Sequence, residues 1–364
     1  MNERNYFSKQ RNARFLRLCT IFALSTTLLA TVLFMLRPNQ VGVQVDVDEN
    51  GRFTLHLLPT TRQSLHIQHT ANAIRISSAG GVRFDGDVQR FIQLSTSDDT
   101  SADMHITLGS DEQTLVIAPD AHTDVWLNYD DDALSIEAKN TLHLASAALN
   151  MPLAVEIADQ NRLTLGATTA QSLVVSGGAL HLTGPIVTNG DVIIDAVNVR
   201  IDADGAIQTS GSVTIDAVQN VQLTESRLQA AGNVRVQAGG VLLVRDSEKR
   251  PFQAQAGGTL QIQGSRQIDI SALSHPASVI ASGGDMRLQS RTPVRGDALY
   301  LAGGLFSIEQ PDGEAGDLTS PYDPIVLADG DVTLGAYTGA SLHIVAGGSV
   351  IMSSATITGS DTTA

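Results

Sequence analysis

Gly257-Gly258-Thr259-Leu260-Gln261-Ile262, Gly283-Gly284-Asp285-Met286-Arg287-Leu288 and Gly303-Gly304-Leu305-Phe306-Ser307-Ile308 are three copies of one pattern, a small pair followed by x-apolar-x-apolar. Reading outward, the pattern recurs from Gly177, Asn189, Ser210, Ala231 and Gly239 before these copies, and from Asp329 and Gly347 after them. The second glycines of the ten copies are separated by 12, 21, 21, 8, 18, 26, 20, 26 and 18 residues. Most intervals approximate one turn, and the two shortest mark a second strand inside a turn. A unit this short buries no apolar face alone, so successive units must stack into a solenoid. Two or three strands per turn and no helical period specify a parallel β-helix, right-handed as parallel crossovers are. Its aliphatic residues point inward and alternate with outward Thr, Gln, Arg, Asp and His. Glycine is expected at corners that need positive φ.

The fold class expected is therefore all-β, with the β-helix repeats spanning 160–358. Before them, Val43–Val47 and Phe53–Leu57 alternate on either side of Asp48-Glu49-Asn50-Gly51, a hairpin signal. Further short alternating segments cover 65–68, 74–77, 105–108, 114–117, 125–129, 134–137 and 142–144. Residues 41–150 thus form a β-rich N-terminal region, either a small sandwich or an irregular cap.

The first 40 residues differ in kind. Arg4, Lys9, Arg11, Arg14 and Arg17 precede an uncharged run of 19 residues, 18–36, closed by Arg37 and Pro38. At about 1.5 Å per residue the run spans roughly 28 Å, the thickness of a hydrocarbon core. It reads as an uncleaved transmembrane anchor, because no small-x-small site follows it. The basic residues hold 1–17 in the cytoplasm, so the expected protein is single-pass in the cytoplasmic membrane with its C-terminal part outside. Cys19, at the inner edge of the span, reads as a buried thiol.

Charge agrees with this partition: residues 1–40 carry net +5 and the remainder net −20, giving −15 overall. So acidic an exported part argues against nucleic acid as partner. One Cys excludes an intrachain disulfide framework, and 4% aromatic residues argue against a stacked cofactor pocket. No cofactor is expected.

Catalysis on a β-helix would need paired carboxylates on an open face with a basic or His partner. Asp202 with Asp204, Asp98 with Asp99, and Asp130-Asp131-Asp132 are the pairs available, and no His-containing motif accompanies them. They read as turn and edge residues. His66 and His69, three apart in a strand, lie on opposite faces and do not make a metal pair. The calcium nonapeptide of β-solenoids is absent, as are a nucleophile elbow and a phosphate loop. One polar insertion, 309–324, bears five carboxylates and interrupts the repeat. Loops projecting from a solenoid are where such proteins bind, which makes Glu309, Asp312, Glu314, Asp317, Tyr322 and Asp323 the binding candidates, against a solvated connector.

The stretches Val244-Arg245-Asp246-Ser247, Pro251-Phe252-Gln253-Ala254-Gln255-Ala256-Gly257-Gly258 and Ile268-Asp269-Ile270-Ser271-Ala272-Leu273-Ser274-His275-Pro276 resemble filamentous haemagglutinin-like β-helix proteins of bacterial surfaces. So do Ser282-Gly283-Gly284-Asp285, 303–310 and Tyr337-Thr338-Gly339-Ala340-Ser341-Leu342-His343-Ile344-Val345-Ala346-Gly347-Gly348-Ser349-Val350. The resemblance covers about residues 170–358. It implies a large surface-displayed β-helix, often adhesive, with a glycan or a cell-surface protein as ligand. The chain departs from it in lacking Asn-Pro-Asn and in carrying an anchor where a cleaved leader is usual. The expected function is a membrane-anchored, exported β-helix with a structural or adhesive role and no enzymatic activity. The alternatives are a polysaccharide lyase or hydrolase and a passive scaffolding stalk. The tail after Met352 is a poor cap, so the expectation is either that the chain is the N-terminal part of a longer β-helix or that its open end pairs with another protein, as in end-to-end β-helix association.

Overall fold

The computed structural model describes residues 43–47, 53–57, 63–70, 73–78, 81–87, 104–108, 113–118, 124–130 and 132–359. The basic segment 1–17, the span 18–36 with Cys19, and Asp98, Asp99 and Asp131 lie outside the described residues. Among the described residues no helix is long and apolar enough to cross a membrane.

Alternation sets the strands and stacking sets the fold. Val213–Ala217 reads VTIDA, with Val213 and Ile215 buried and Thr214 and Asp216 partly exposed. Its neighbours repeat that order, so Val192, Val213 and Val234 lie over one another in parallel register, one turn apart. Each central turn has three such strands. Val192–Ala196, Val213–Ala217 and Val234–Ala238 begin the first face, Asn198–Ile201, Val221–Thr224 and Val241–Arg245 the second, and Ala206–Thr209, Arg227–Ala230 and Gln253–Ala256 the third. The result is a right-handed parallel β-solenoid of about 11 turns.

The core is the inward column of each face. Ile186, Ile207, Leu228, Ala254, Ile280, Tyr300 and Val326 stack on the third, all buried. Fully burying one such Val, Leu or Ile is worth about 1.5–3 kcal/mol, and the contribution recurs at every layer. Where the second-face column passes from Ile270 to Gly296, Tyr300 fills the gap: a Cβ on Gly296 would lie 2.7 Å from the Tyr300 hydroxyl. Tyr300 also packs on Phe306, with ring centroids 5.3 Å apart.

The glycine pairs occupy a different conformation from the one expected. Eight of the ten copies stand at the third corner, between third and first faces, and there no glycine has positive φ. Positive φ occurs at Gly177 (77°) and Gly178 (55°), which turn the first corner of an early layer. At the third corner the requirement is close approach. A Cβ on Gly257, Gly283, Gly303 or Gly347 would collide with the carbonyl oxygen of Ala231, Gly257, Gly283 or Asp329 in the preceding turn. The second glycines bond from layer to layer, Gly258 N to Gly232 O at 2.9 Å, Gly284 N to Gly258 O at 2.9 Å and Gly304 N to Gly284 O at 3.0 Å. The next residue adds a side-chain rung: Asn233 Oδ1 accepts from Thr259 N at 2.8 Å, and Asp331 Oδ1 from Ser349 N at 2.7 Å.

The N-terminal region belongs to the same hydrogen-bonded network. Val43–Val47 pairs antiparallel with Phe53–Leu57, as the Asn-Gly turn predicts. Gln63–Thr70, which carries His66 and His69, lies antiparallel between Ala73–Ser78 and Asp124–Asp130, and a strand the alternation did not mark, Gly81–Asp87, extends the meander. The change to solenoid happens within two strands. Ala133–Ala138 is antiparallel to Asp124–Asp130 on one edge and parallel to Leu153–Ile157 on the other. Leu142–Ala148 is likewise antiparallel to Gln113–Ala118 and parallel to Arg162–Ala170. Phe53–Leu57 already pairs parallel with Met104–Leu108 within the N-terminal region, but the unbroken run of parallel layers begins at Ala133, earlier than the glycine pairs indicate, because the first corners are turned by other residues.

At the other end, Val350–Ile357 stacks on Val332–Gly339, and no described strand stacks on it in turn. Val332 and Leu334 are buried, Leu342, Ile344 and Met352 are partly buried, and Val350 is 49% exposed.

Candidate functional site

Because the interior is packed, chemistry is confined to corners and outward columns. Three loops project at the second corner. A loop at 246–252 joins Val241–Arg245 to Gln253–Ala256, and in the next turn 273–278 joins Gln267–Ala272 to Val279–Ser282. The following turn has no loop, since Val294–Ala302 runs through the corner as one strand. One turn later 321–324 projects again, between Leu318–Ser320 and Ile325–Ala328. A flush layer between projecting layers leaves a cleft of about 470 Å³, lined by Glu248, Ser271, Leu273, Ser274, Tyr322, Asp323 and Ile325.

Buried polar contacts hold its walls. Asp246 Oδ2 accepts from His275 N at 2.8 Å and from Ser278 Oγ at 2.7 Å, tying the first loop to the second. Phe252, fully buried, anchors the first loop, and its N–H donates to Ser278 Oγ at 3.1 Å. In the flush layer Asp297, 3% exposed, accepts from the Ser320 hydroxyl and from Tyr322 N, which holds the third loop. Burial pushes the Asp297 carboxyl above its ordinary value, against those hydrogen bonds. Burial likewise raises the Tyr300 phenol, with the Asp297 charge adding to it. Asp323 Oδ1 lies 3.2 Å from His343 Nε2.

The six binding candidates do not converge. Tyr322 and Asp323 line the cleft. Glu309, Asp312, Glu314 and Asp317 belong to the first corner, where Gln310 N donates to Glu314 O at 2.8 Å and the segment folds back on itself. There Glu309 Oε1 accepts from Ser307 Oγ at 2.7 Å and lies 3.8 Å from Arg287, Asp312 Oδ1 accepts from Glu314 N at 3.2 Å, and Asp317 Oδ1 accepts from Ala336 N at 2.7 Å. Glu248, Ser271, Leu273, Ser274 and Ile325 were not singled out by sequence. A signal was present: Pro251, Pro276, Pro321 and Pro324 all punctuate second-corner loops, and the flush layer has no proline there.

Asp202 and Asp204 are each occupied by a base. Arg200 Nε lies 2.8 Å from Asp202, and Arg250 reaches Asp204 at 2.9 Å. A histidine does accompany the pair, contrary to the motif reading: His181, one turn earlier, places Nε2 2.8 Å from Asp202. Burial opposes ionisation of Asp202, but hydrogen bonds from Arg200 and His181 outweigh it and hold the carboxyl below its ordinary value. Such a group is a poor proton donor near neutrality. Among the described residues no group of three or more His, Cys, Asp or Glu side chains could hold a metal ion.

The fold defines the class: the chain is a parallel β-solenoid. Comparison with protein-family models, curated proteins and solved structures finds no match. A β-helix of this kind fits a structural or adhesive role.

Proposed function

We propose that this chain is an exported β-helix, anchored in the cytoplasmic membrane by residues 18–36, which acts outside the cell as a non-enzymatic structural or adhesive element of the filamentous haemagglutinin-like kind. The observation that carries the reading is the second-corner cleft on a solenoid whose interior is packed. It combines two carboxylates, two hydroxyls, a tyrosine ring 40% exposed and two aliphatic residues, a mixture suited to holding a polyhydroxylated or peptide ligand. Proton-transfer chemistry is less well served, because Asp297, whose carboxyl is raised, is committed to a loop and Asp202 is lowered.

Two measurements test this. Protease added outside spheroplasts should remove a C-terminal tag and leave an N-terminal tag intact, and a protected C-terminal tag overturns the orientation. Attachment of the protein to host or neighbouring cells should weaken when Tyr322→Ala and Glu248→Gln open the cleft wall. Cleavage of acidic polysaccharide by the purified chain would replace the adhesive reading with the enzymatic one.

A further inference from the structure

The first corner holds a second depression with the opposite charge. It measures about 490 Å³ and is lined by Val241, Arg266, Gln267, Thr292, Pro293, Arg295 and Thr319. Ten arginines lie between Arg162 and Arg295. Arg200, Arg235, Arg245, Arg250 and Arg287 are in ion pairs, and Arg227 donates to Gln253 at 2.9 Å. That leaves Arg162, Arg266, Arg291 and Arg295, and three of these four meet at this one corner. Arg266 and Arg295 line the depression, and Arg291 directly precedes Thr292. All three are exposed, and none forms an ion pair among the described residues.

In a protein of net charge −15, most exposed guanidinium groups find a carboxylate, so a cluster of unpaired ones calls for a ligand. Here the nearby acids are engaged: Asp297, two residues beyond Arg295 and close enough to feel its charge, is buried and accepts from the Ser320 hydroxyl and Tyr322 N. Asp269 lies under Arg295 in register, yet its Oδ2 is 2.9 Å from Arg245 Nη2. Asp317, in the next turn, accepts from Ala336 N. The scaffold beneath the arginines is fixed: Thr292 Oγ1 donates to Arg266 O at 2.7 Å, and Thr319 Oγ1 donates to Val294 O at 3.3 Å.

We propose that this depression binds the carboxylate of an acidic sugar, with Arg266 and Arg295 as the charged contacts and Gln267 and Thr292 facing the sugar hydroxyls. The inference rests on the adhesive reading above and names the class of glycan it would meet. A guanidinium fork matches a planar carboxylate with two parallel hydrogen bonds. The acidic segment with Asp312 and Glu314, one turn further along the same corner, sets an upper limit on ligand charge. Densely sulfated polymers are repelled there, whereas a glycan with one carboxylate, terminal or widely spaced, is not. Nucleic acid is disfavoured on the same ground.

The test uses the full chain in mild detergent, with calorimetry and ligand-observed NMR. The probes are a disaccharide ending in glucuronic acid, the same disaccharide ending in glucose, sodium acetate and heparin. The uronate should bind and the neutral sugar should not. Arg266→Gln or Arg295→Gln should weaken the uronate by about tenfold. Arg295→Lys, which keeps the charge and loses the fork, should restore only part of it. Both positions are exposed, so thermal melts of the variants should match the parent. Acetate binding as tightly as the uronate, heparin binding more tightly than either through the same arginines, or uronate affinity unchanged in both Gln variants overturns the proposal. If the uronate fails while the parent chain still attaches to cells, the pocket falls and the adhesive reading stands. If the uronate binds while the parent attaches to no cell, the reverse holds.

Discussion

At Gly283 an added Cβ meets the carbonyl oxygen of Gly257 in the preceding turn, whereas at Gly284 the nearest atom is Gly258 O at 3.4 Å. Adjacent glycines of one pair therefore have different reasons to exist. Gly283→Ala should cost about 1–3 kcal/mol, since the layers must part to admit the methyl group. Gly284→Ala should be neutral or stabilise by up to about 1 kcal/mol, because it restricts the unfolded chain without a clash. Equal melting temperatures for the two variants would contradict the corner geometry. Asp297 gives a second residue-scale expectation. Burial raises its carboxyl in the folded state above the ordinary 3.8, so the folded protein binds the proton more tightly than the unfolded chain. Its contribution to stability is then most favourable below 3.8 and declines as pH rises through the raised folded value. Asp297→Asn keeps an acceptor for Ser320 and Tyr322 and removes the charge. It should raise stability at pH 7 and leave it little changed at pH 3, as read from urea titrations at both pH values. Asp202 acts with the opposite sign: its lowered carboxyl supports folding above 3.8, and that support disappears as pH falls through the lowered value. Because Arg200 and Asp202 are substantially exposed, screening keeps this term small.

Strand Val332–Gly339 lets the register be tested on one element. Val332 is buried against Phe306 in the preceding turn, and Thr333 points outward beside Ser307. Val332→Asp should cost about 3–5 kcal/mol by burying an unpaired charge. Thr333→Asp should stay within about 0.5 kcal/mol of the parent. Equal tolerance in thermal melts would mean the strand is shifted by one residue, which would exchange its faces. The alternation of this strand was legible in the sequence. The burial of its successor was not: Val350 repeats the inward position of Val332 yet is 49% exposed, because burial needs a layer on both sides.

At the scale of the whole molecule, that end gathers exposed apolar residues. Val345, Val350, Ile351 and Ile357 are 63%, 49%, 57% and 58% exposed, and Val350–Ile357 leaves one edge of backbone donors and acceptors unpaired among the described residues. From Val332 to Ile357 the chain contains no Asp, Glu, Lys or Arg, so charge does not protect the edge. The compact unit 43–364 should therefore associate in proportion to its concentration, as followed by light scattering. Ile351→Lys and Thr356→Lys should suppress that association without lowering the melting temperature. A parent that stays monomeric at high concentration, with slow amide exchange through Val350, would show that the edge is adequately protected.

The sequence by itself determined that the chain is a solenoid and which residues of its repeats face inward. These follow from period-two geometry and from units too short to fold alone, both local properties. It read 309–324 as one insertion, whereas strand Leu318–Ser320 divides that stretch into a first-corner segment and a second-corner loop. It did not determine which corner a glycine pair occupies, so Gly177-Gly178 at the first corner and Gly283-Gly284 at the third read alike although only the former has positive φ. Nor did it show that the unbroken run of parallel layers begins at Ala133, because alternation is silent about which edge of a strand is paired and in which direction. The candidate sites were hidden for a related reason. Turns of 21 and of 26 residues alternate irregularly, as in Asp191 to Ser212 and Asn233 to Thr259, so only the accumulated register brings distant residues to one corner. Tertiary stacking alone set Glu248 across from Tyr322, His181 beside Asp202, and Arg266 beside Arg295. Contacts along the solenoid axis join residues a full turn or more apart, and that distance depends on the length of every loop between them.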